Sequence, residues 1–424
     1  MDMELTAFGT ILALVATIAL ILIRVAPAYA MMAGALIGGL AGGAGLVDTT
    51  QIMIGGAEGM TGVVLRVLAA GVLAGVLIES GAAKKIAESI LERLGEKKAL
   101  LALAGAAMVL TGVGVFIGVA VLTLAPIALA IARKIGMSKL AILLAISGGG
   151  KAGNIISPNP NSLAAAEAFQ VPLTTVMFAG VLPAAAGLWV TYVIARRLRN
   201  TGSVVEEADL NTEVNGSLPS LAAALTGPAV AIFLLMLQPL VGIYVDPLFA
   251  LPVGGLIGAL AMGKASHLNM FISSGLEKMA GVAILLIGTG TLAGVIANSA
   301  MIGHILSGIE ALGLPSYTLA PLAGITMSGA TGSTAAGTAV AGSVFAPTMF
   351  ELGVHALAGA AMVNAGATVL DHMPHGTYFH ITRASVRMGM KERFRLLPHE
   401  TLVGGVIALV STLMFGVFGG LWLW

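Results

Sequence analysis

Apolar runs, broken at intervals by glycine, proline and clustered polar residues, follow one another along the whole chain. They cover roughly residues 5–23, 28–46, 60–79, 99–132, 139–165, 173–195, 219–241, 248–264, 278–297, 315–351, 354–371 and 400–422. Most are close to the ~20 apolar residues an α-helix needs to cross a bilayer. Three of them, 99–132, 139–165 and 315–351, carry interruptions. The pattern predicts an all-α polytopic membrane protein with about 11–14 membrane segments.

Composition agrees and narrows the function. Apolar residues make up 58% of the 424 and charged residues 10%, against about 25% charged in an ordinary soluble domain. So few charges cannot cover a soluble surface. That excludes a soluble enzyme, a nucleic-acid binder and a disordered scaffold, and makes the lipid bilayer the first partner. The net charge of +1 creates no global field. There is no cysteine, hence no disulfide framework or thiolate metal site, and nothing calls for a cofactor. Asp2 and Glu4 lead the first apolar run, where a signal peptide needs a basic residue.

The remaining charges orient the chain. Lys84, Lys85, Arg93, Lys97 and Lys98 form one basic cluster, and Arg133, Lys134 and Lys139 a second. Arg196, Arg197 and Arg199 form a third, and Arg383, Arg387, Lys391, Arg393 and Arg395 a fourth. The positive-inside rule places these loops in the cytoplasm. Segments 47–58, 298–316 and 352–356 carry no Lys or Arg and belong outside. Both termini are then extracytoplasmic, in a multi-pass protein of the cell (inner) membrane.

The sequence is also written twice. Pro27–Gly43 aligns without a gap on Pro247–Gly263, with 9 of 17 positions identical. Glu58–Ile86 aligns on Glu277–Ile305 at almost the same offset, matching Gly71 with Gly290 and Leu73-Ala-Gly-Val76 with Leu292-Ala-Gly-Val295. The basic loop 84–98 has a counterpart near 303–314 without a basic residue, so equivalent loops fall on opposite sides. This predicts two inverted-topology repeats, 1–199 and 219–424, joined by a cytoplasmic linker at 200–218. In such architectures the substrate site lies near mid-membrane, on broken helices.

Four polar breaks mark where those helices would be interrupted: 111–114, 147–162, 328–334 and 371–377. A helix start inside a membrane exposes backbone N–H groups to an anion, and ionisable residues at that depth are functional candidates. Lys151, among glycines and with no acid near it in sequence, is the expected anion-binding residue. Asp371, His372 and His375 form the expected proton-handling group, because histidine titrates near neutral pH. Thr331, Ser333 and Thr334 offer hydroxyls to a ligand. Pro374 disrupts the regular helical spacing that metal-binding histidines often use, so no metal is assigned. Arg66 and Glu79 read as interfacial charges near opposite ends of one span, and Glu58 and Glu277 as residues pinning equivalent helix starts.

At these positions the chain resembles the GntP-type permeases, which are gluconate:proton symporters and their relatives within the ion transporter superfamily. The resemblance rests on Thr331–Gly342, on Gly366-Ala-Thr-Val-Leu-Asp-His-Met-Pro-His-Gly376, and on Lys151-Ala-Gly-Asn-Ile-Ile-Ser-Pro-Asn-Pro160. The Asp371-x-x-Pro-His375 pattern is closer to the hydroxybutyrate-permease-like branch. The resemblance implies re-entrant hairpins in each repeat, a scaffold domain for homodimerisation, and a transport domain moving as an elevator.

The expected function is therefore secondary uptake of a small organic anion, a gluconate-like hydroxycarboxylate, coupled to protons or alternatively to sodium. Lys151 and hairpin amides would hold the carboxylate. Asn154, Ser157, Asn159, Asn161, Thr331, Ser333, Thr334 and His375 would bind the rest of the substrate. Asp371 and His372 would couple transport to the proton gradient. A sodium/proton antiporter with Asp371 as exchanger is the other transport reading, and no enzymatic activity is expected.

Overall fold

The computed structural model describes residues 5–23, 25–95, 98–210, 218–301, 304, 307, 311, 313–374 and 376–419. Among the described residues there are nineteen α-helices and no strands. Five helical stretches are long and apolar enough to cross a membrane by themselves: Thr61–Glu79, Ile117–Ile135, Leu221–Val241, Ala265–Ala297 and Met390–Val417. The other apolar helices are shorter, because the chain breaks or turns within the expected spans.

Pro27–Ala41 and Pro247–Ala261 are both 15-residue helices beginning at the aligned prolines, where proline's missing N–H costs nothing. Ala99–Gly112 and Ile117–Ile135 form a hairpin, as do Leu319–Thr331 and Thr334–Glu351. Their tips turn at Gly114 (φ 101°) and Gly332 (φ 61°), a backbone region that glycine enters without a Cβ clash. Each hairpin precedes a broken helix: Lys139–Asn154 followed by Pro160–Ala168, and Ala356–Gly366 followed by Thr377–Ser385.

Helices 7–79 and 221–297 pack largely on one another, while helices 99–197 and 319–412 form a second group. Backbone contact between glycines holds the first group together. A Cβ added at Gly275 would lie 2.0 Å from the Gly71 carbonyl oxygen, and one added at Gly56 would lie 2.1 Å from that of Gly290. Gly56 and Gly275 are 219 residues apart, as are Gly71 and Gly290, so the same contact is made twice with the halves exchanged. Small residues permit this approach where lipid offers no hydrophobic drive between helices.

Three expectations need correction. The glycine-rich stretch from Ser147 to Asn154 is no break, because Lys139–Asn154 is one continuous helix. Its glycines serve packing: an added Cβ at Gly148 would meet Thr191 Oγ1 at 2.2 Å, at Gly149 the Ala104 carbonyl at 2.1 Å, and at Gly153 Thr111 Oγ1 at 2.1 Å. The helix ends only where Pro158 and Pro160 prevent it from continuing. Arg393 is no loop residue; it lies inside Met390–Thr412, fully buried. Glu58 ends the helix Leu46–Glu58 rather than starting one, and Glu277 lies within Leu268–Ala297.

The linker is docked where it is described. Lys139 Nζ donates to Asp209 at 2.8 Å and to the Arg387 carbonyl at 3.0 Å. Ser203 donates through its backbone N–H and hydroxyl to the Glu392 carboxylate, at 2.7 and 2.6 Å. Residues 211–217 lie outside the described residues.

Candidate functional site

A cavity of about 680 Å³ lies between the two helix groups. Its polar wall comes from Asn154, Asn161, Thr331, Ser333, Thr334 and Asp371, and its apolar wall includes Ile21, Val25, Phe116 and Leu285. Five expected substrate residues and one expected proton-coupling residue, drawn from three of the four breaks, thus face one space.

All four helices that restart after a break begin at this wall. Ile117, Asn161, Thr334 and Thr377 line the cavity. They stand at the first or second position of the helices Ile117–Ile135, Pro160–Ala168, Thr334–Glu351 and Thr377–Ser385. The first N–H groups of a helix lack intrahelical partners, and each helix start carries about half a positive charge from the aligned peptide dipoles. Ser333 caps one of them by accepting from the Ala336 N–H at 3.3 Å. Four such ends around one cavity make an anion-seeking environment that needs no cationic side chain.

Residues 1–418 match the sequence profile of the GntP family of permeases. The chain belongs to the GntP permease family. The permease is 58% identical over 413 residues to an uncharacterized transporter of Haemophilus influenzae, covering 97% of this chain and 99% of that protein. It is 32% identical over 145 residues to the inner membrane permease YgbN of Escherichia coli, covering 34% of this chain and 32% of that one. The crystal structure of the Alcanivorax borkumensis YdaH transporter, described as having an unusual topology, has a similar fold. Its TM-score is 0.64 at 16% sequence identity, with 89% of each chain covered.

Behind the cavity wall the permease buries an ion cluster. Lys151 is fully buried and points at the break between Ala356–Gly366 and Thr377–Ser385. Its ammonium donates to Asp371 Oδ1, to the Thr368 carbonyl at 2.6 Å, and lies 3.1 Å from His372 Nδ1. All three of its donors are engaged. The acid that sequence proximity did not supply is brought by the fold from 220 residues away. Asp371 Oδ2 accepts from Thr334 Oγ1 at 2.6 Å, which ties the cluster to the second hairpin tip.

His372 is set by its other nitrogen. Nε2 lies 3.0 Å from the Leu397 carbonyl and 3.1 Å from Thr401 Oγ1. A carbonyl only accepts, so Nε2 carries a proton, and neutral His372 presents a lone pair at Nδ1 to Lys151.

The asparagines of the first break are arranged as braces. Asn159 Nδ2 donates to Asn154 Oδ1 at 2.8 Å and to the Thr111 carbonyl at 3.3 Å. Asn161 Nδ2 donates to Asn364 Oδ1 at 2.8 Å and to the Asn154 carbonyl at 3.1 Å, and Ser157 Oγ to that same carbonyl at 2.8 Å. Asn154 and Asn161 also reach the cavity; Ser157, Asn159, Lys151 and His372 are not among its lining residues. His375 lies outside the described residues.

Sequence reasoning missed several neighbours. Arg66 is no isolated interfacial charge: it binds Asp246 bidentately, with Nη2 at 2.8 Å and Nε at 3.1 Å, and also donates to Glu167. Lys278 lines the cavity and donates to Glu79 at 2.9 Å. Glu400, Arg393 and Tyr378 form a second buried polar network. Two opposite charges seven residues apart at the edge of an apolar run, Arg393 and Glu400, were the sequence signal that could have flagged it.

Proposed function

We propose that this permease is a secondary transporter taking up a small hydroxycarboxylate, gluconate or a related hydroxy acid, by proton symport. The observation that carries the reading is the convergence of four helix N-termini on one cavity that also exposes Asn154, Asn161, Ser333, Thr334 and Asp371. Backbone N–H groups at the helix starts hold the carboxylate, and the amide and hydroxyl side chains bind its hydroxyl groups. Lys151 takes a different role from the expected one, holding Asp371 rather than the substrate.

Charge accounting supplies the coupling. With Lys151 and Asp371 charged and His372 neutral, the triad is neutral. A proton added at His372 Nδ1 stands 3.1 Å from Lys151 and 3.2 Å from Asp371. At an effective dielectric of about 20, each contact is worth about 5 kcal/mol, with opposite signs. The two contacts oppose each other and nearly cancel, and a proton taken there makes the triad +1. An anionic substrate at the neighbouring helix ends then finds a favourable field, and proton and anion each favour binding of the other.

Two inverted repeats, 1–199 and 219–424, supply the alternation of access. Supporting this are the matched helix starts at Pro27 and Pro247 and the glycine contact repeated with the halves exchanged. In this reading helices 7–79 and 221–297 are the scaffold of a homodimer. Helices 99–197 and 319–412 move past it as an elevator, in the inner membrane with both termini outside.

Uptake into proteoliposomes of labelled gluconate, glycerate, 3-hydroxybutyrate, lactate, citrate and succinate tests the proposal. Each would be run with an imposed proton gradient and separately with a sodium gradient. Proton-driven accumulation of a hydroxymonocarboxylate is expected. Accumulation driven by sodium alone, or of dicarboxylates only, sinks it.

A further inference from the structure

The second buried ion pair does not line the cavity. Arg393 and Glu400 are both fully buried on Met390–Thr412, and Arg393 Nη1 donates to Glu400 Oε2 at 2.5 Å. Arg393 Nε donates to Thr382 Oγ1 at 3.2 Å, and its guanidinium stacks 4.7 Å from the centre of the Phe379 ring. Its Nη2 has no hydrogen-bond partner among the described residues. A buried pair of this kind is weak evidence of stabilisation, since packed apolar residues would serve as well.

The other carboxylate oxygen leads back to the cavity. Glu400 Oε1 is 2.5 Å from Ser147 Oγ, and Ser147 Oγ is 3.0 Å from the hydroxyl of Tyr378, which lines the cavity. Chemistry fixes the direction of these bonds. An ionised carboxylate only accepts, so Ser147 donates its single proton to Glu400 and must accept from Tyr378.

We propose that Glu400 is a proton-accepting site of this permease, reached from the cavity through the hydroxyls of Tyr378 and Ser147. Ser147 passes its proton to Glu400 Oε1 as Tyr378 passes its own to Ser147, and a hydrated proton in the cavity restores the Tyr378 hydroxyl. The net transfer is one proton: Glu400 becomes neutral, and both hydroxyls stay neutral with their hydrogen-bond directions reversed.

Charged and titratable groups face Glu400 from several of the elements packed around it. Arg393 lies on its own helix, Lys151 on Lys139–Asn154, and His372 between Ala356–Gly366 and Thr377–Ser385. Tyr378 on Thr377–Ser385 and Asp371 at the neighbouring break complete the set. The Val181–Arg197 helix packs here with uncharged groups, Gly187 on Ile407 and Thr191 on Gly148. Lys151 and Arg393 balance Asp371 and Glu400, so a proton on Glu400 leaves the buried cluster with one net positive charge, as a proton on His372 does. This site rests on the proton-symport reading and gives it a second internal acceptor.

Infrared difference spectroscopy on the purified full chain after a rapid drop in pH reads the site without any substrate. The wild type should gain a protonated-carboxyl band that is missing in Glu400→Gln, and that returns shifted in Glu400→Asp. Should Glu400→Gln not fold, Arg393→Met/Glu400→Gln removes both charges and serves the same purpose. In Tyr378→Phe the band should reach full amplitude about tenfold or more slowly. A band that survives loss of Glu400, or no band in the wild type, overturns the proposal. An unchanged rate in Tyr378→Phe overturns the route. A Glu400 band in a protein without proton-driven uptake of the six acids above would sink the symport reading and leave Glu400 standing.

Discussion

Lys151→Met probes the reassignment of this lysine from substrate to Asp371. The ammonium is fully buried, and the Asp371 side chain is 4% exposed. Removing Lys151 leaves that carboxylate with the Thr334 hydroxyl as its hydrogen-bond donor. Breaking a buried pair by deleting one partner costs about 3–5 kcal/mol, and Asp371→Asn should cost a similar amount by stranding the ammonium. The double variant strands no charge. Its main deficit is the Thr368 carbonyl that Lys151 satisfied at 2.6 Å, about 1–3 kcal/mol for an unpaired buried acceptor. The double variant should therefore be more stable than either single. Equilibrium unfolding of the purified full chain in mixed micelles measures all three. If the single effects add to within about 0.5 kcal/mol, the two groups do not interact. A Lys151→Met protein as stable as wild type would return the lysine to the substrate.

Gly275→Ala and Gly56→Ala should each destabilise the first helix group by about 1–3 kcal/mol or more, because their Cβ atoms would fall 2.0 and 2.1 Å from backbone oxygens; thermal unfolding in detergent checks this, and unequal losses would count against the exchanged-halves contact. Asn161→Ala leaves the Asn364 amide oxygen without its 2.8 Å donor and should weaken hydroxycarboxylate binding while sparing expression, measured by binding of labelled gluconate and 3-hydroxybutyrate. For the linker, burial works to raise the Asp209 carboxyl, but Lys139 and the Glu206 backbone N–H outweigh it and hold the group below its ordinary range. The docking this supplies is present above the ordinary aspartate value of about 3.9 and lost as pH falls through the lower folded value. Amide protection of residues 201–210, taken relative to the intrinsic exchange rate at each pH, should accordingly fall on acidification below about pH 3.9, and protection that stays constant there would contradict it.

Much of the fold was legible because lipid imposes simple rules. Spans are apolar, basic residues cluster, and Pro27 and Gly71 recur at nearly the same offset as Pro247 and Gly290. The breaks at 111–114 and 328–334 were found because Thr111-Gly-Val-Gly114 and Ser328-Gly-Ala-Thr-Gly332 interrupt apolar runs. The stretch 147–154 misled because glycine signals two things: a place where helices end, and a place where they touch. Only the neighbours Ala104, Thr111 and Thr191 distinguish these, and none is near in sequence. Lys151 was singled out correctly as a buried cation, but its partner Asp371 lies in the other half of the chain. Glu400 and Arg393 escaped notice because a charge at the edge of an apolar run reads as a solvated helix end. Burial on one helix face is a property of packing that a sequence alone does not display.

The central claim is that the cavity takes an anion together with a proton. Proteoliposomes loaded with a pH-sensitive dye, in sodium-free buffer without an imposed gradient, test it most directly when gluconate or 3-hydroxybutyrate is added outside. Acidification of the lumen in step with entry of the labelled acid is the expected result. Entry without acidification, or a lumen that responds to sodium alone, would contradict the account.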